Sequence, residues 1–254
     1  MYHSKILSMV LGLSLALVGF AQAEDVADAN LAVIKKELKK MLGGEEPDSV
    51  TKTPFESLYE VVVGTDVVYI SADAKYLFYG NLIDRKNQLD LTRQTKEKLA
   101  VKMNGTRKKA LASADASKAI SYKAKDEKTV LTIFTDIDCP YCAKIHKEVP
   151  ELNKQGITVN YLMFPRAGVG SSSFKKAVSA WCAEDQKSAL TKAKERQAIP
   201  DKTCDNPVEA QYKLGQKLGV TGTPALITAS GELIPGYVPA AKLAAKLLAD
   251  SNQK

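Results

Sequence analysis

The sequence has few of the residues that build metal sites. It holds four cysteines and two histidines in 254 residues, with a single C-x-x-C pair formed by Cys139 and Cys142. Structural zinc needs four ligands, and catalytic zinc needs three and a water. Since His146 is the only histidine outside the first few residues, we expect no metal ion and no other cofactor.

The sequence also lacks a comfortable membrane span. Its longest apolar run, from Ile6 to Phe20, is shorter than the roughly 20 residues that a spanning helix needs. The run follows Lys5 and precedes Ala21-Gln22-Ala23, the pattern of a secretory signal peptide cut after Ala23. We therefore predict that residues 1–23 are a cleaved signal peptide; the alternative is an uncleaved anchor.

Residues 24–86 contain neither an acid–base cluster nor a glycine-rich phosphate loop. Helical spacing and strand-like runs instead predict a small α+β unit. Its helix carries Leu31, Ile34, Leu38 and Met41 on one face and ends at Gly43-Gly44, and its strands cover Leu58 to Val63, Val67 to Ser71 and Tyr76 to Ile83. So small a unit buries little and leaves open strand edges, which predicts a dimerisation domain.

Residues 87–120 are almost without acidic side chains, since Glu97 is the one acid among many lysines and arginines of the predicted helix. Two interpretations stay open: a solvated linker helix, or a basic helix lying on a membrane surface. Asn104-Gly105 would kink or split it. The net charge of +7 in an exported chain indicates a solvated basic surface, and we expect no nucleic-acid partner.

The C-x-x-C pair lies between a buried strand and a helix. Thr129 to Thr135 is β-branched and apolar, and the residues from Cys142 onward show helical spacing. Pro140 suits the first helical turn, and the free N–H groups and dipole at that end favour a thiolate at Cys139. We therefore predict an exposed, attacking Cys139 and a buried, resolving Cys142.

The other two cysteines, Cys182 and Cys204, follow in the same half of the chain. An exported compartment permits disulfides, and an even count suggests one redox pair and one structural pair. A Cys182–Cys204 bond would stabilise the fold by about 3 kcal/mol in the chain-entropy model. The alternative is two unrelated buried thiols.

Residues 121–254 alternate strands and helices in the order β-α-β, then α-β-β-α, with C-x-x-C after the first core strand. This is thioredoxin-like architecture with a helical insertion. In that fold a cis proline enters the third core strand beside the C-x-x-C pair, and Pro224 holds that place. The backbone around Thr223 would then pair with an extended substrate chain.

Several stretches of the chain resemble the periplasmic disulfide isomerase family DsbC/DsbG, and its DsbC branch more than its DsbG branch. They are Phe134-Thr-Asp-Ile-Asp-Cys139-Pro-Tyr-Cys142, Gly156-Ile-Thr-Val-Asn-Tyr-Leu-Met-Phe-Pro-Arg166, Trp181-Cys182-Ala183, Leu218-Gly-Val-Thr-Gly-Thr-Pro224 and Pro235-Gly-Tyr237. The resemblance implies a periplasmic homodimer of a Gram-negative bacterium, joined through its N-terminal domains. It further implies catalysis by Cys139 and Cys142, substrate contacts at Pro140, Tyr141, Thr223 and Pro224, and a membrane thiol reductase of the DsbD type as partner.

Two positions depart from that pattern. The dipeptide between the cysteines is Pro-Tyr, the DsbG form, where DsbC has Gly-Tyr; this dipeptide tunes the redox potential. In thioredoxin and DsbA a buried acid stands six positions before the first cysteine, and here that position is Ile133. Proton transfer to Cys142 then relies on water or on another group.

The function expected from these features is isomerisation of non-native disulfides in misfolded exported proteins, with an added chaperone activity. Three alternatives stay open. The chain could be a DsbG-like reductase of sulfenylated cysteines, a dithiol oxidase, or a holdase with little redox chemistry.

Overall fold

The computed structural model describes residues 18–113 and 116–251, with side chains for 29–113 and 117–251. Most of the predicted signal peptide, residues 1–17, and the side chains around its cleavage site lie outside this range. The chain divides into two compact units, one ending at Lys98 and one beginning at Leu99. Within the described residues, no helix combines the length and apolar content needed to cross a bilayer.

The N-terminal unit is built from one long helix and an antiparallel sheet of strand order β1-β2-β3-β4. A small hairpin, β5 with β6, precedes a second long helix. The elements are α1 (Val18–Met41), β1 (Ser49–Lys52), β2 (Leu58–Val63), β3 (Asp66–Ser71), β4 (Leu77–Phe78), β5 (Ile83–Asp84), β6 (Leu89–Asp90) and α2 (Leu91–Ser113).

Helix α1 packs one apolar face against this sheet. Ile34 and Leu38 are buried with Tyr59, Val61 and Ile70 of the sheet. Met41, predicted on the same face, is 59% exposed and lies beyond the buried part of that face. The end of the helix at Gly43-Gly44 is confirmed: both glycines have positive φ, a conformation that closes helices.

The strands of this unit agree with the sequence pattern at its centre and differ at its edges. Strand β2 has the predicted bounds, but the predicted strand from Tyr76 to Ile83 is interrupted and survives as β4 and β5. Gly80, with φ of 149°, stands at the break, where few side chains can follow the backbone. Strand β1 was not predicted, because its Ser-Val-Thr-Lys sequence has little apolar content.

Helix α2 is continuous through Asn104-Gly105, so the helix is not split there. The division between the units falls within it. Its first part joins the N-terminal unit through Thr95, whose hydroxyl donates to Glu60 at 2.9 Å. Its later part belongs to the second unit, where Arg107 Nε donates to the Leu218 carbonyl at 2.9 Å.

The second unit is a five-stranded mixed sheet of order β11-β10-β8-β9-β7, which agrees with the predicted thioredoxin-like architecture. Only β8 and β9 run parallel, and the outer strands pair antiparallel. After a short 3-10 turn the elements are β7 (Ile120–Tyr122), β8 (Thr129–Thr135), α3 (Pro140–Lys147), α4 (Val149–Lys154), β9 (Ile157–Met163), α5 (Ser172–Trp181), α6 (Gln186–Lys194), α7 (Val208–Lys217), β10 (Ala225–Ile227), β11 (Leu233–Pro235) and α8 (Ala240–Ser251).

Two helical stretches of this unit are interrupted where the sequence predicted continuity. The helix after Cys139 breaks at Glu148, since Pro150 has no N–H to continue the ladder. Its apolar face nevertheless stays buried across the break, from Ile145 to Leu152. The predicted stretch from Lys175 to Lys194 is two helices, the second of which is capped by the Asp185 carboxylate.

Candidate functional site

Cys139 begins the helix that follows the central strand β8. Its backbone is extended, with φ −83° and ψ 120°, and Pro140 is the first helical residue. The Cys139 carbonyl accepts the first helical hydrogen bond, from the Ala143 amide at 3.0 Å. The predicted strand–turn–helix setting is therefore confirmed, and the sulfur lies at the positive end of α3.

Cys139 is less accessible than the sequence indicated. Its residue is 2% exposed, so the expectation of an exposed thiol is wrong in this structure. Its Sγ donates to the Thr223 carbonyl at 3.3 Å. The Thr223–Pro224 peptide bond is cis, as predicted, and Thr223 is half-buried while Pro224 is buried. The loop before β10 therefore covers the thiol.

The two thiols are unbonded and have opposite pKa shifts. Burial raises the pKa of Cys139, but interactions of its thiolate with the Thr223 side chain, with Cys142 and with the Arg166 guanidinium outweigh it, so the net pKa is lowered. Burial dominates at Cys142 and raises its pKa, against the Lys194 charge and the Thr135 hydroxyl. Cys139 is thus the thiol that ionises first.

A buried carboxylate and an arginine stand beside the cysteines. Asp136 is 3% exposed, and its Oδ2 accepts from Arg166 Nε at 3.1 Å and from the Arg166 amide at 2.8 Å. The pair holds a positive charge near both sulfurs. Sequence reasoning quoted both residues within matching stretches but gave them no role, because neither side-chain direction could be read. Asp138 is instead exposed and pairs with Lys176.

A second cation, Lys194, reaches the same site from the end of α6. It is 4% exposed, and its Nζ donates to the Thr135 hydroxyl at 2.6 Å. Sequence reasoning missed it entirely. Lys194 is one of several lysines in a helix with no motif, so no local signal distinguishes it from Lys187 or Lys192.

Two tyrosines form an aromatic surface next to the C-x-x-C pair. Tyr141 is 61% exposed and stacks on Tyr237, with 6.4 Å between ring centroids and 26° between ring planes. Lys144 Nζ lies 4.4 Å from the Tyr237 ring centre. The Tyr237 hydroxyl donates to Glu148, which fixes the ring at the surface. Tyr237 lies in the Pro235-Gly-Tyr237 stretch that resembles the family, and no role was predicted for it.

Behind the site lies a buried histidine. His146 Nδ1 is 3.1 Å from the Tyr161 hydroxyl and Nε2 is 2.9 Å from the Thr191 hydroxyl. Burial and the nearby Lys194 charge lower the pKa of His146 to about 4, so it is neutral at ordinary pH. Its two hydroxyl contacts make it part of the packed interior.

The remaining cysteines lie away from this chemistry. Cys182 and Cys204 are joined in a disulfide that ties the end of α5 to the segment before α7, with Cα atoms 5.7 Å apart. Within the part of the chain that the structure describes, no three His, Cys, Asp or Glu side chains lie close enough together to hold a metal ion.

The chain matches two protein families along its length. Residues 21–93 match the disulfide bond isomerase protein N-terminal domain. Residues 116–249 match the thioredoxin-like domain. Together the two matches cover both units described above.

The chain also aligns with known proteins along nearly its whole length. The chain is 35% identical over 246 residues to the thiol:disulfide interchange protein DsbC of Escherichia coli, covering 97% of this chain and 96% of that protein. It is 36% identical to DsbC of Pasteurella multocida, covering 96% and 98%. Among solved structures, a disulfide interchange protein from Neisseria gonorrhoeae is 30% identical, with a TM-score of 0.48, covering 53% of this chain and 99% of that one.

Proposed function

This chain belongs to the DsbC family of disulfide isomerases, and on that premise we propose that Cys139 is its attacking thiol and Cys142 its resolving thiol. The observation that carries the proposal is the opposite direction of the two pKa shifts. The pKa of Cys139, at the helix start, is lowered, whereas burial raises that of Cys142. The thiolate is the nucleophile in exchange, so Cys139 reacts first.

The reaction follows from these two roles. The Cys139 thiolate attacks one sulfur of a wrong substrate disulfide and forms a mixed disulfide, while the second substrate sulfur leaves as a thiolate. A different substrate thiolate then displaces Cys139, which leaves a rearranged substrate and a reduced enzyme. Alternatively Cys142 attacks the Cys139 sulfur, releasing reduced substrate and oxidised enzyme.

Substrate contacts are proposed at Pro140, Tyr141, Thr223 and Pro224. The Thr223 backbone lies against the Cys139 sulfur, where a pairing peptide would bring its own sulfur within reach. The exposed Tyr141 ring, stacked on Tyr237, offers a flat apolar surface to side chains that flank the substrate cysteine.

The N-terminal unit supports a homodimer. Its sheet ends in the two-residue strand β4, and Phe78 and Tyr79 there are 50% and 79% exposed. Pairing of two copies would cover such apolar side chains and the open strand edges. We place the dimer in the periplasm, acting on misfolded exported proteins that contain disulfides and kept reduced by a DsbD-type membrane protein. Chaperone binding by the paired units is part of the proposal.

The Pro140-Tyr141 dipeptide favours a second candidate function. It is the form associated with DsbG, so a reductase of sulfenylated cysteines is the alternative, and the balance depends on the reduction potential. A dithiol oxidase would show a markedly higher potential. A pure holdase would keep its activity without either active-site thiol.

Refolding of a scrambled multi-disulfide protein under a glutathione buffer tests the proposal. Cys139→Ser should abolish isomerisation, and Cys142→Ala should accumulate mixed disulfides with the substrate. Lys147→Ala, at an exposed position on the same helix, is the matched control and should behave as the parent. Preferential alkylation of Cys142 over Cys139 in the reduced protein would contradict the assignment.

The same preparation separates the other functions. Measuring the reduction potential distinguishes isomerase from oxidase, and a sulfenylated single-cysteine protein tests the reductase. Suppression of aggregation by a Cys139→Ser, Cys142→Ala double variant isolates the chaperone activity, which needs no thiol.

A further inference from the structure

Lys194 carries a buried amine that forms no salt bridge with a carboxylate among the described residues. It is the only lysine among the buried side chains of the described residues. In that part of the chain, no Asp or Glu oxygen lies within 4.0 Å of its Nζ. The nearby Asp136 carboxylate is occupied by Arg166 and by the Asp138 amide, and offers Lys194 only its backbone carbonyl, at 3.4 Å. An unpaired ammonium is unfavourable in such a place.

The Thr135 hydroxyl connects this amine to the resolving cysteine. Thr135 ends strand β8 and is 1% exposed. Its Oγ1 accepts from Lys194 Nζ at 2.6 Å and also interacts with the Cys142 sulfur, where it favours the thiolate. The hydroxyl that contacts the buried amine therefore also acts on the resolving thiol, and Cys142 itself is fully buried.

The position expected to hold a buried acid offers no alternative. Ile133 is fully buried and pairs across the sheet with Leu226 and Tyr161. It has no proton to accept or donate. The proton that Cys142 must lose before it attacks the mixed disulfide therefore needs another acceptor.

We propose that Lys194, acting through the Thr135 hydroxyl, is the positioning residue that takes the proton of Cys142 in the resolving step. The Cys142 S–H bond breaks as its proton passes to the Thr135 oxygen, and the Thr135 proton passes to Lys194 in its unprotonated amine form, which burial favours over the ammonium. The Cys142 thiolate then bonds to the Cys139 sulfur. The Cys139–substrate bond breaks, its electron pair leaves with the substrate sulfur, and that thiolate takes a proton from water. The enzyme is oxidised to a disulfide and the substrate is reduced.

The electrostatics of the pair support this transfer. Burial lowers the pKa of Lys194, against the charges of Cys142, Cys139 and Asp136. Burial raises the pKa of Cys142. The pKa values of Lys194 and Cys142 are therefore closer to each other than those of an ordinary lysine and an ordinary thiol. A smaller difference in pKa lowers the free-energy cost of moving the proton between them.

Several titratable groups surround Lys194, and two of them are neutral and carry no charge that competes for the proton. The surrounding groups are Cys139, Cys142 and His146 on and before α3, Asp136 after β8 with its partner Arg166, and Tyr161 on β9, whose ring centre is 5.5 Å from Nζ. His146 is neutral because its pKa is lowered to about 4. Burial raises the pKa of Tyr161 well above its usual value, so it is neutral as well.

The test is the pH profile of the resolving step, which rests on the proposed role of Cys142. The protein is reacted with oxidised glutathione, and release of glutathione from the Cys139 mixed disulfide is followed by rapid acid quench. Lys194→Met should slow release at pH 7 by about tenfold or more and move the pH midpoint upward by about one unit, since a buried thiol loses its stabilising charge. Thr135→Val should act in the same direction without removing the amine.

The controls separate a proton-transfer role from a structural one. Lys192→Met changes an exposed lysine on the same helix and should leave both rate and midpoint unchanged. Formation of the mixed disulfide, measured in a Cys142→Ala background with and without Lys194→Met, should change by less than about threefold, because Lys194 acts on the resolving thiol. If one substitution prevents folding, the other still carries the test, as the two lie on different elements.

Two outcomes would overturn the inference. One is a release rate and pH midpoint in Lys194→Met equal to those of Lys192→Met, and the other is equal slowing of both chemical steps. If instead Cys142→Ala released glutathione as fast as the parent, the assigned role of Cys142 would fail first, whatever Lys194 does.

Discussion

The two units of the chain differ in how completely their apolar side chains are buried. In the C-terminal unit the central strands β8 and β9 are buried along nearly their whole length, with helices against them. In the N-terminal unit the buried core is much smaller, and Met41, Phe55, Phe78 and Tyr79 are all at least half exposed. An apolar cavity there is lined by residues of α1 and of the sheet, among them Leu38, Val61 and Leu77.

The difference shows where chemistry and where assembly can be placed. In the C-terminal unit, burial shifts the pKa values of Cys142, Lys194 and His146. A side chain in contact with water keeps a pKa closer to its ordinary value. The N-terminal unit has Tyr69 as its buried titratable side chain with a shifted pKa, and it buries no cysteine, lysine or histidine among its described residues. It offers instead apolar side chains that a second copy could cover.

The largest effect should come from removing the N-terminal unit, which ends at Lys98. A chain beginning at Leu99 should be a monomer that still reduces small disulfides but isomerises a scrambled protein about tenfold or more slowly, because a two-armed dimer prolongs contact with one substrate. Light scattering and refolding measure the two properties. Full isomerase activity in the monomer would show that isomerisation does not need the N-terminal unit.

The starting residue of that truncation matters. A chain beginning at Ser121, the start of the predicted catalytic domain, also loses Arg107 and Leu111, which contact the C-terminal unit. It should unfold at lower denaturant than the chain beginning at Leu99. Equal stability of the two would show that the end of α2 contributes nothing to this unit.

Loss of the Cys182–Cys204 disulfide should lower the stability of the C-terminal unit alone. Replacing both residues by Ala should lower its free energy of unfolding by about 3 kcal/mol, because the unfolded chain gains freedom. Trp181, the only tryptophan of the chain, lies next to Cys182, so its fluorescence follows this unit alone. An unchanged midpoint in guanidinium would contradict the prediction.

His146 should make the stability of the C-terminal unit fall at acidic pH. Its folded pKa, about 4, lies below the unfolded value near 6.5, so the unfolded chain binds a proton first as the pH falls. Stability is therefore complete above pH 6.5 and should drop by about 2 kcal/mol between pH 6 and 4.5, at about 1.4 kcal/mol per pH unit. His146→Gln should flatten this part of the curve, measured by Trp181 fluorescence.

Carboxylates titrate over the same range, so the comparison is between the two proteins at each pH. The N-terminal unit has no histidine among its described residues, and its far-ultraviolet signal should be less sensitive between these values. Parallel curves for His146→Gln and the parent would show that His146 is not the source.

The smallest effect concerns the contact between the later part of α2 and the rest of the C-terminal unit. Arg107→Met removes the hydrogen bond to the Leu218 carbonyl and should cost about 1.5 kcal/mol, typical of a charged donor to a partly buried acceptor. Lys108→Met, exposed on the next position, is the matched control. A loss no larger than that of Lys108→Met would show the contact to be incidental.

Local patterns were sufficient to predict the central part of the candidate site. A β-branched run, two cysteines and a proline define a strand, a turn and a helix start, because each depends on neighbours in sequence. Strand β8 has the predicted bounds, and Cys142 is buried as expected. The edges of the N-terminal sheet were less predictable, since short polar strands such as β1 depend on their partners.

By itself the sequence determined the family, the thioredoxin-like architecture, and the strand and helix on either side of the C-x-x-C pair. Only the tertiary structure decided that the Thr223 loop covers Cys139, that α2 is shared between two units, and that Lys194 meets Thr135 from 59 positions along the chain. The reason is that burial and charge depend on packing between distant segments. A lysine in an amphipathic helix looks like any other until the fold removes it from water.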